Sequence, residues 1–114
     1  MKVKTIIFHS LKEPQSENSE SIPYYNYPED FVTHRQEKYI DTGKLSIRSL
    51  SGEEIANTVY PNALEAIELT FINIDAKKEY GNDPIIQEPL TYRDNQYKDS
   101  GITTIVMIEK CLTF

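Results

Sequence analysis

The sequence predicts an α+β fold, mainly β. Its frame would be a small mixed or antiparallel sheet with the first and last strands in the core, one short helix at about 52–60 and long irregular loops. Two observations carry this expectation. Residues 2–9 and 102–114 alternate at the two-residue period of a strand and are rich in β-branched side chains. Ser51-Gly52-Glu53-Glu54 spells a capping box just before an apolar run, which marks a helix start.

Taken in order, the opening strand would turn Val3, Thr5 and Ile7 to one side and Lys4, Ile6 and Phe8 to the other. Residues 13–30 read as an acidic arm or loop rich in proline and tyrosine, with five carboxylates and no base. Pro14, Pro23 and Pro28 each remove a backbone donor and fix φ, which argues against both a helix and a central strand. Residues 35–50 resemble a hairpin, with Asp41-Thr42-Gly43 as its turn and Leu45 and Ile47 on one face of the return strand. After the capping box, Ile55, Ala56, Val59 and Tyr60 supply an apolar helix face that Pro61 closes. The run 62–74 fits either period, and its β-branched and aromatic density favours a strand from about 66 to 75. Turn signals crowd 76–100, leaving room for one or two short edge strands. The run 102–114 is apolar on both sides, as in a strand covered above and below.

The chain has 114 residues, enough for a single domain over 1–114. Its formal charge of −6 argues against clamping phosphate backbones, so no direct binding of nucleic acid is expected. Cys111 is the lone cysteine, which excludes an internal disulfide and a CxxC zinc site. The apolar run at 3–8 is short for a signal peptide, and no stretch approaches a membrane span. A cytoplasmic setting is therefore expected, whether in a cell, in a viral host or in an assembled virion. Isoleucine, lysine and asparagine are frequent and alanine scarce, a bias that AT-rich coding sequences produce.

Few constellations suggest chemistry. Cys111 with His9 is the only conceivable thiol–imidazole pair, and a thiol on a buried strand usually behaves as a small hydrophobe. His34 and Arg35 with Glu37 and Asp41 could form a polar patch on the hairpin, but no HxH, HExxH or DxDxDG spacing points to a metal. The four glycines are isolated, so no phosphate loop or nucleophile elbow is present. Neither cofactor, metal nor catalytic residue is assigned.

The most suggestive segment is Tyr24-Tyr25-Asn26-Tyr27-Pro28. Tyrosine offers a large, rigid ring with a polar tip at low entropic cost, which suits binding loops. The same rings could instead fold back over the domain's own core. The expected partner-contacting residues are Tyr24, Tyr25 and Tyr27 with Glu17, Glu20, Glu29 and Asp30. The resulting expectation is a non-catalytic interaction protein, a structural or assembly subunit of a larger complex such as a phage-like particle. Its partner would be another protein or a second copy of the chain, with no membrane. The first alternative is an acidic inhibitor of a nucleic-acid-binding or defence protein, guided by electrostatic steering. The second is a small enzyme, which a cleft holding His9 or His34 beside a carboxylate would support.

Overall fold

The computed structural model describes residues 1–11 and 23–111. Four strands form one sheet: β1 (Lys2–Leu11), β2 (Leu45–Ser49), β3 (Glu65–Phe71) and β4 (Ile102–Cys111). Their spatial order is β2-β3-β1-β4, and every neighbouring pair is antiparallel. Helices α1 (Glu29–Arg35), α3 (Ile74–Gly81) and α4 (Pro84–Asp99) form a second layer, while α2 (Gly52–Ala56) lies in the connection from β2 to β3. The fold is α+β, and its connectivity is that of a split βαβ, or ferredoxin-like, sheet.

Strand alternation decides which residues meet the helices. Val3 of β1, Leu45 of β2, and Leu69 and Phe71 of β3 bury against Phe31, Tyr39, Ala76, Tyr80 and Ile86. On the opposite face Phe8 and Ala66 pack with Ile55 of α2, and Leu50, Tyr60 and Ala63 extend that smaller cluster. The predicted split of β1 into Val3/Thr5/Ile7 and Lys4/Ile6/Phe8 faces is therefore the split between the two clusters.

Several local expectations hold. In the capping box, Ser51 Oγ accepts from the Glu54 N–H at 3.2 Å, and Glu54 Oε1 accepts from the Ser51 N–H at 3.0 Å. The helix it starts runs over Gly52–Ala56, shorter than the expected 52–60. The ambiguous run 62–74 contains the strand Glu65–Phe71.

Other expectations are corrected. No hairpin occupies 35–50, because α1 continues into a π-helical turn over Gln36–Ile40 and only Leu45–Ser49 is a strand. Phe31 and Tyr39, eight residues apart, are both fully buried, a helical spacing that the strand reading overlooked. Glu29 and Asp30 in the first turn, with His34 and Arg35 in the last, complement the helix dipole. Gly43, at φ 75°, does turn the chain, but from helix into strand.

The loops expected over 76–100 are α3 and α4. Asn73 Oδ1 accepts the Ala76 N–H at 2.8 Å, and Asp83 Oδ1 accepts the Ile85 N–H at 3.1 Å. The Asn and Asp-Pro signals are thus helix starts rather than turns. Helix α4 continues through Pro89 and buries Ile86, Arg93 and Tyr97. Finally, β4 is an edge strand and not a central one: Val106 and Ile108 are 55% and 60% exposed.

Candidate functional site

The sheet and the helix layer do not close fully on each other. Between them lies a cavity of about 690 Å³. Its floor is the helix-facing side of the sheet, with Ile7, Ile47, Ile67 and Leu69; Leu90 of α4 faces them. Thr5 also lines it, and its buried hydroxyl has no hydrogen-bond partner among the described residues. Such an orphaned group is costly unless something supplies the missing bond.

The charge around this cavity is opposite to that of the chain. Arg35, Lys77, Lys78 and Arg93 line it, against Glu65 as its lone carboxylate, so four cations less one anion leave +3. The whole sequence carries −6. Arg93 is answered by Asp94, whose Oδ1 accepts from Nε at 3.1 Å and from Nη2 at 2.9 Å. Among the described residues Arg35, Lys77 and Lys78 have no ion pair. The Arg35 guanidinium lies 4.7 Å from the centre of the Phe31 ring, which braces it at the cavity wall.

One end of the cavity holds a polar cluster. His9 and Glu65 are direct cross-strand partners on β1 and β3, so their side chains share a face. His9 Nδ1 and Glu65 Oε2 are 3.0 Å apart. The other ring nitrogen, Nε2, stands 3.7 Å from Asp94 Oδ1, beyond hydrogen-bond reach but within Coulombic range. The imidazole itself is fully buried, with its edge against the Tyr97 ring at 5.0 Å. Burial alone would lower the His9 pKa, but Asp94 and Glu65 outweigh it, against Arg93, and the net shift is upward. Burial raises the Asp94 carboxyl, yet His9 and Arg93 overcome this and hold it below its usual range. Burial, reinforced by Tyr27 and Glu65, pushes the Tyr97 hydroxyl up to about 12.

Tyr27 joins this cluster from the segment before α1. Its ring stacks on Phe31 at 5.2 Å, and its hydroxyl accepts from Arg93 Nη1 at 2.9 Å. Tyr25 packs edge-on against Tyr27 at 4.8 Å and also meets Tyr92. Tyr24 is 88% exposed. Of the residues expected to meet a partner, Tyr25 and Tyr27 thus lie folded over their own domain, while Tyr24 is open. Glu29 and Asp30 are exposed in the first turn of α1. Glu17 and Glu20, with the rest of 13–22, fall outside the described residues.

The second histidine belongs to a separate knot. Asp83 Oδ2 lies 2.6 Å from His34 Nε2, accepts from the Tyr39 hydroxyl at 2.7 Å and meets Lys38 Nζ at 3.4 Å. Burial alone would raise the Asp83 carboxyl, but Tyr39 and His34 overcome it and hold it well below the usual range. Asp83 thereby ties α1 and its π-helical extension to the start of α4. The hairpin patch expected around His34, Arg35, Glu37 and Asp41 is not formed: Asp41 instead accepts from Gln36 Nε2 at 2.7 Å.

The Cys111–His9 pairing also fails on register. Cys111 stands opposite Lys2 and His9 opposite Thr104, about 23 Å apart along the strand. Among the described residues no three His, Cys, Asp or Glu side chains converge as a metal site, and no helix is long and apolar enough to cross a membrane.

Glu65, Arg93, Asp94 and Tyr97 were not singled out from the sequence. The signal that could have found two of them, Arg93 and Tyr97, is the spacing of Ile86, Leu90, Arg93 and Tyr97, which places a cation on the apolar face of a helix. The turn signals read over 76–100, Asp94-Asn95-Gln96 among them, hid it.

No protein-family model matches the chain, and neither does any curated protein. Among solved structures, a dabb family protein with a ferredoxin-like fold from Mesorhizobium loti aligns over 98% of both chains with 10% identity and a TM-score of 0.49.

Proposed function

We propose that this chain is a small-molecule-binding domain whose ligand is an amphipathic organic anion, with an apolar ring system and one acidic group. The observation that carries this reading is the inverted charge of the cavity: with Arg93 paired to Asp94, Arg35, Lys77 and Lys78 against Glu65 leave +2 around an apolar space of about 690 Å³ in a chain of −6. A volume of this order is typical of sites that enclose a small organic ligand. The sheet floor would take the apolar body, and Arg35 with Lys77 and Lys78 would take the acidic group. Thr5 would give or receive a hydrogen bond that the protein leaves unmade. Tyr27 serves this reading as a wall and Tyr25 as its buttress; exposed Tyr24 stays available to a partner.

Titration with 8-anilinonaphthalene-1-sulfonate, an aromatic sulfonate, tests the reading. Saturable binding of one molecule per chain is expected, with NMR shifts concentrated at Ile7, Ile47 and Ile67. Arg35→Gln should weaken it about tenfold, the loss of one charge-assisted hydrogen bond. Ile67→Trp should abolish it by filling the space. Binding that neither substitution alters, or shifts scattered over the molecule, would overturn the proposal.

A further inference from the structure

We propose, resting on the cavity reading above, that Glu65 is a general base which removes a proton from a carbon acid bound in the cavity, with His9 as its positioning residue and Tyr27 as the donor to the oxygen that becomes negative. The geometry divides these roles. Glu65 lines the cavity and keeps 34% of its side chain exposed. Its Oε2 is held by His9, while Oε1 has no hydrogen-bond partner among the described residues. One oxygen is therefore anchored, and the other is left without a bond on a side chain that lines the cavity. His9 is fully buried and cannot itself reach the ligand. Its Nδ1 fixes Glu65, and its unpartnered Nε2 faces Asp94.

The acceptor of the displaced charge is also in place. Arg93 Nη1 donates to the Tyr27 oxygen at 2.9 Å, so the Tyr27 proton is free to point elsewhere. Both residues line the cavity. A hydroxyl polarised by a neighbouring guanidinium is a strong donor to a developing oxyanion. The reaction this allows is balanced within the ligand. The C–H bond adjacent to a carbonyl breaks, and its proton forms an O–H bond on Glu65. The electron pair moves into the carbonyl to give an enolate, whose oxygen accepts from Tyr27. In a β,γ-unsaturated carbonyl compound this enolate is a dienolate; return of the proton to its γ-carbon moves the double bond to the α,β position, isomerises the ligand and restores Glu65. The substrate class is thus a β,γ-unsaturated carbonyl compound with an apolar body and an anionic end.

The test uses the full chain with 5-nitrobenzisoxazole, an activated carbon acid. A base takes its ring proton, the C–H pair forms the nitrile, and the N–O bond breaks to leave a coloured phenolate. Saturable turnover about 100-fold above an equal concentration of acetate is expected. Glu65→Gln should lose nearly all of it while still binding the anilinonaphthalene sulfonate. Glu65→Asp, which keeps the charge but withdraws it by one methylene, should retain a small fraction. His9→Leu should lower kcat about tenfold with KM unchanged, and His9→Asn, whose amide can replace the Nδ1 donor, should recover much of that loss. Turnover no faster than acetate, or equal in Glu65→Gln, overturns the base assignment while the binding reading stands. Should the sulfonate itself fail to bind in the cavity, both readings fall together.

Discussion

Asp83→Ala removes the carboxylate that ties α1 to α4, and the cost can be worked from its bonds. Oδ1 caps α4 through the Ile85 N–H, and losing such a cap costs about 1 kcal/mol. Oδ2 serves the Tyr39 hydroxyl, on a side chain with no exposure; an orphaned buried donor costs about 1–3 kcal/mol. The Glu79 carbonyl, 3.4 Å from that hydroxyl, can recover part of this, which favours the lower half of the range. His34 is one-quarter exposed and Lys38 more so, so both rehydrate and add little. The sum is about 2–3 kcal/mol. Urea unfolding followed by circular dichroism measures it: with a slope of about 1.5 kcal/mol/M, the midpoint should fall by about 1.5–2 M. The pH dependence gives an independent check. A carboxyl held below its unfolded pKa near 3.8 contributes stability that is present above that value and lost as pH falls through the folded pKa. The difference between parent and Asp83→Ala should therefore be full at neutral pH and shrink below about pH 4. A loss under about 1 kcal/mol, or one that does not change with acidification, would refute the reasoning.

Two further outcomes are expected. The His9 pKa is raised from 6.5 by Asp94 and Glu65 against burial and Arg93, so its contribution is complete below that value and lost as pH rises through the folded pKa. Unfolding midpoints should fall from mildly acidic to alkaline pH in the parent and not in His9→Asn, and a histidine proton NMR titration should locate the midpoint above 6.5. Ser51→Ala should cost about 1 kcal/mol and lower Tm by about 4 °C in a thermal scan, since it removes one bond of the capping box while Arg48 still holds Glu54.

Much of the sheet was legible because strand alternation is a local pattern with a direct structural meaning. Val3, Thr5 and Ile7 on one side and Phe8 on the other could be assigned to faces without knowing the partners. The capping box was legible for the same reason, as its two bonds join residues three apart. The helices around the cavity were harder. Pro28 and Asp83-Pro84 each read as a break, yet both sit where a helix start tolerates proline, and Pro89 lies inside α4, which buries Ile86, Arg93 and Tyr97. The site itself was nearly invisible. His9 was noted, but Glu65 lies 56 residues away and meets it only through the β1–β3 register. With eighteen acids in the chain, nothing local marks this one.

The strand order has a consequence for synthesis. Both neighbours of β1 come from far downstream, β3 beginning at Glu65 and β4 at Ile102. At about 5–20 residues per second, β1 leaves the ribosome roughly 3–10 s before its first pairing partner. During that interval Ile6, Ile7 and Phe8 have no sheet to join, so the nascent chain passes through a window of stickiness. Chaperone dependence of the yield, rather than low stability of the finished domain, is where this topology should make itself felt.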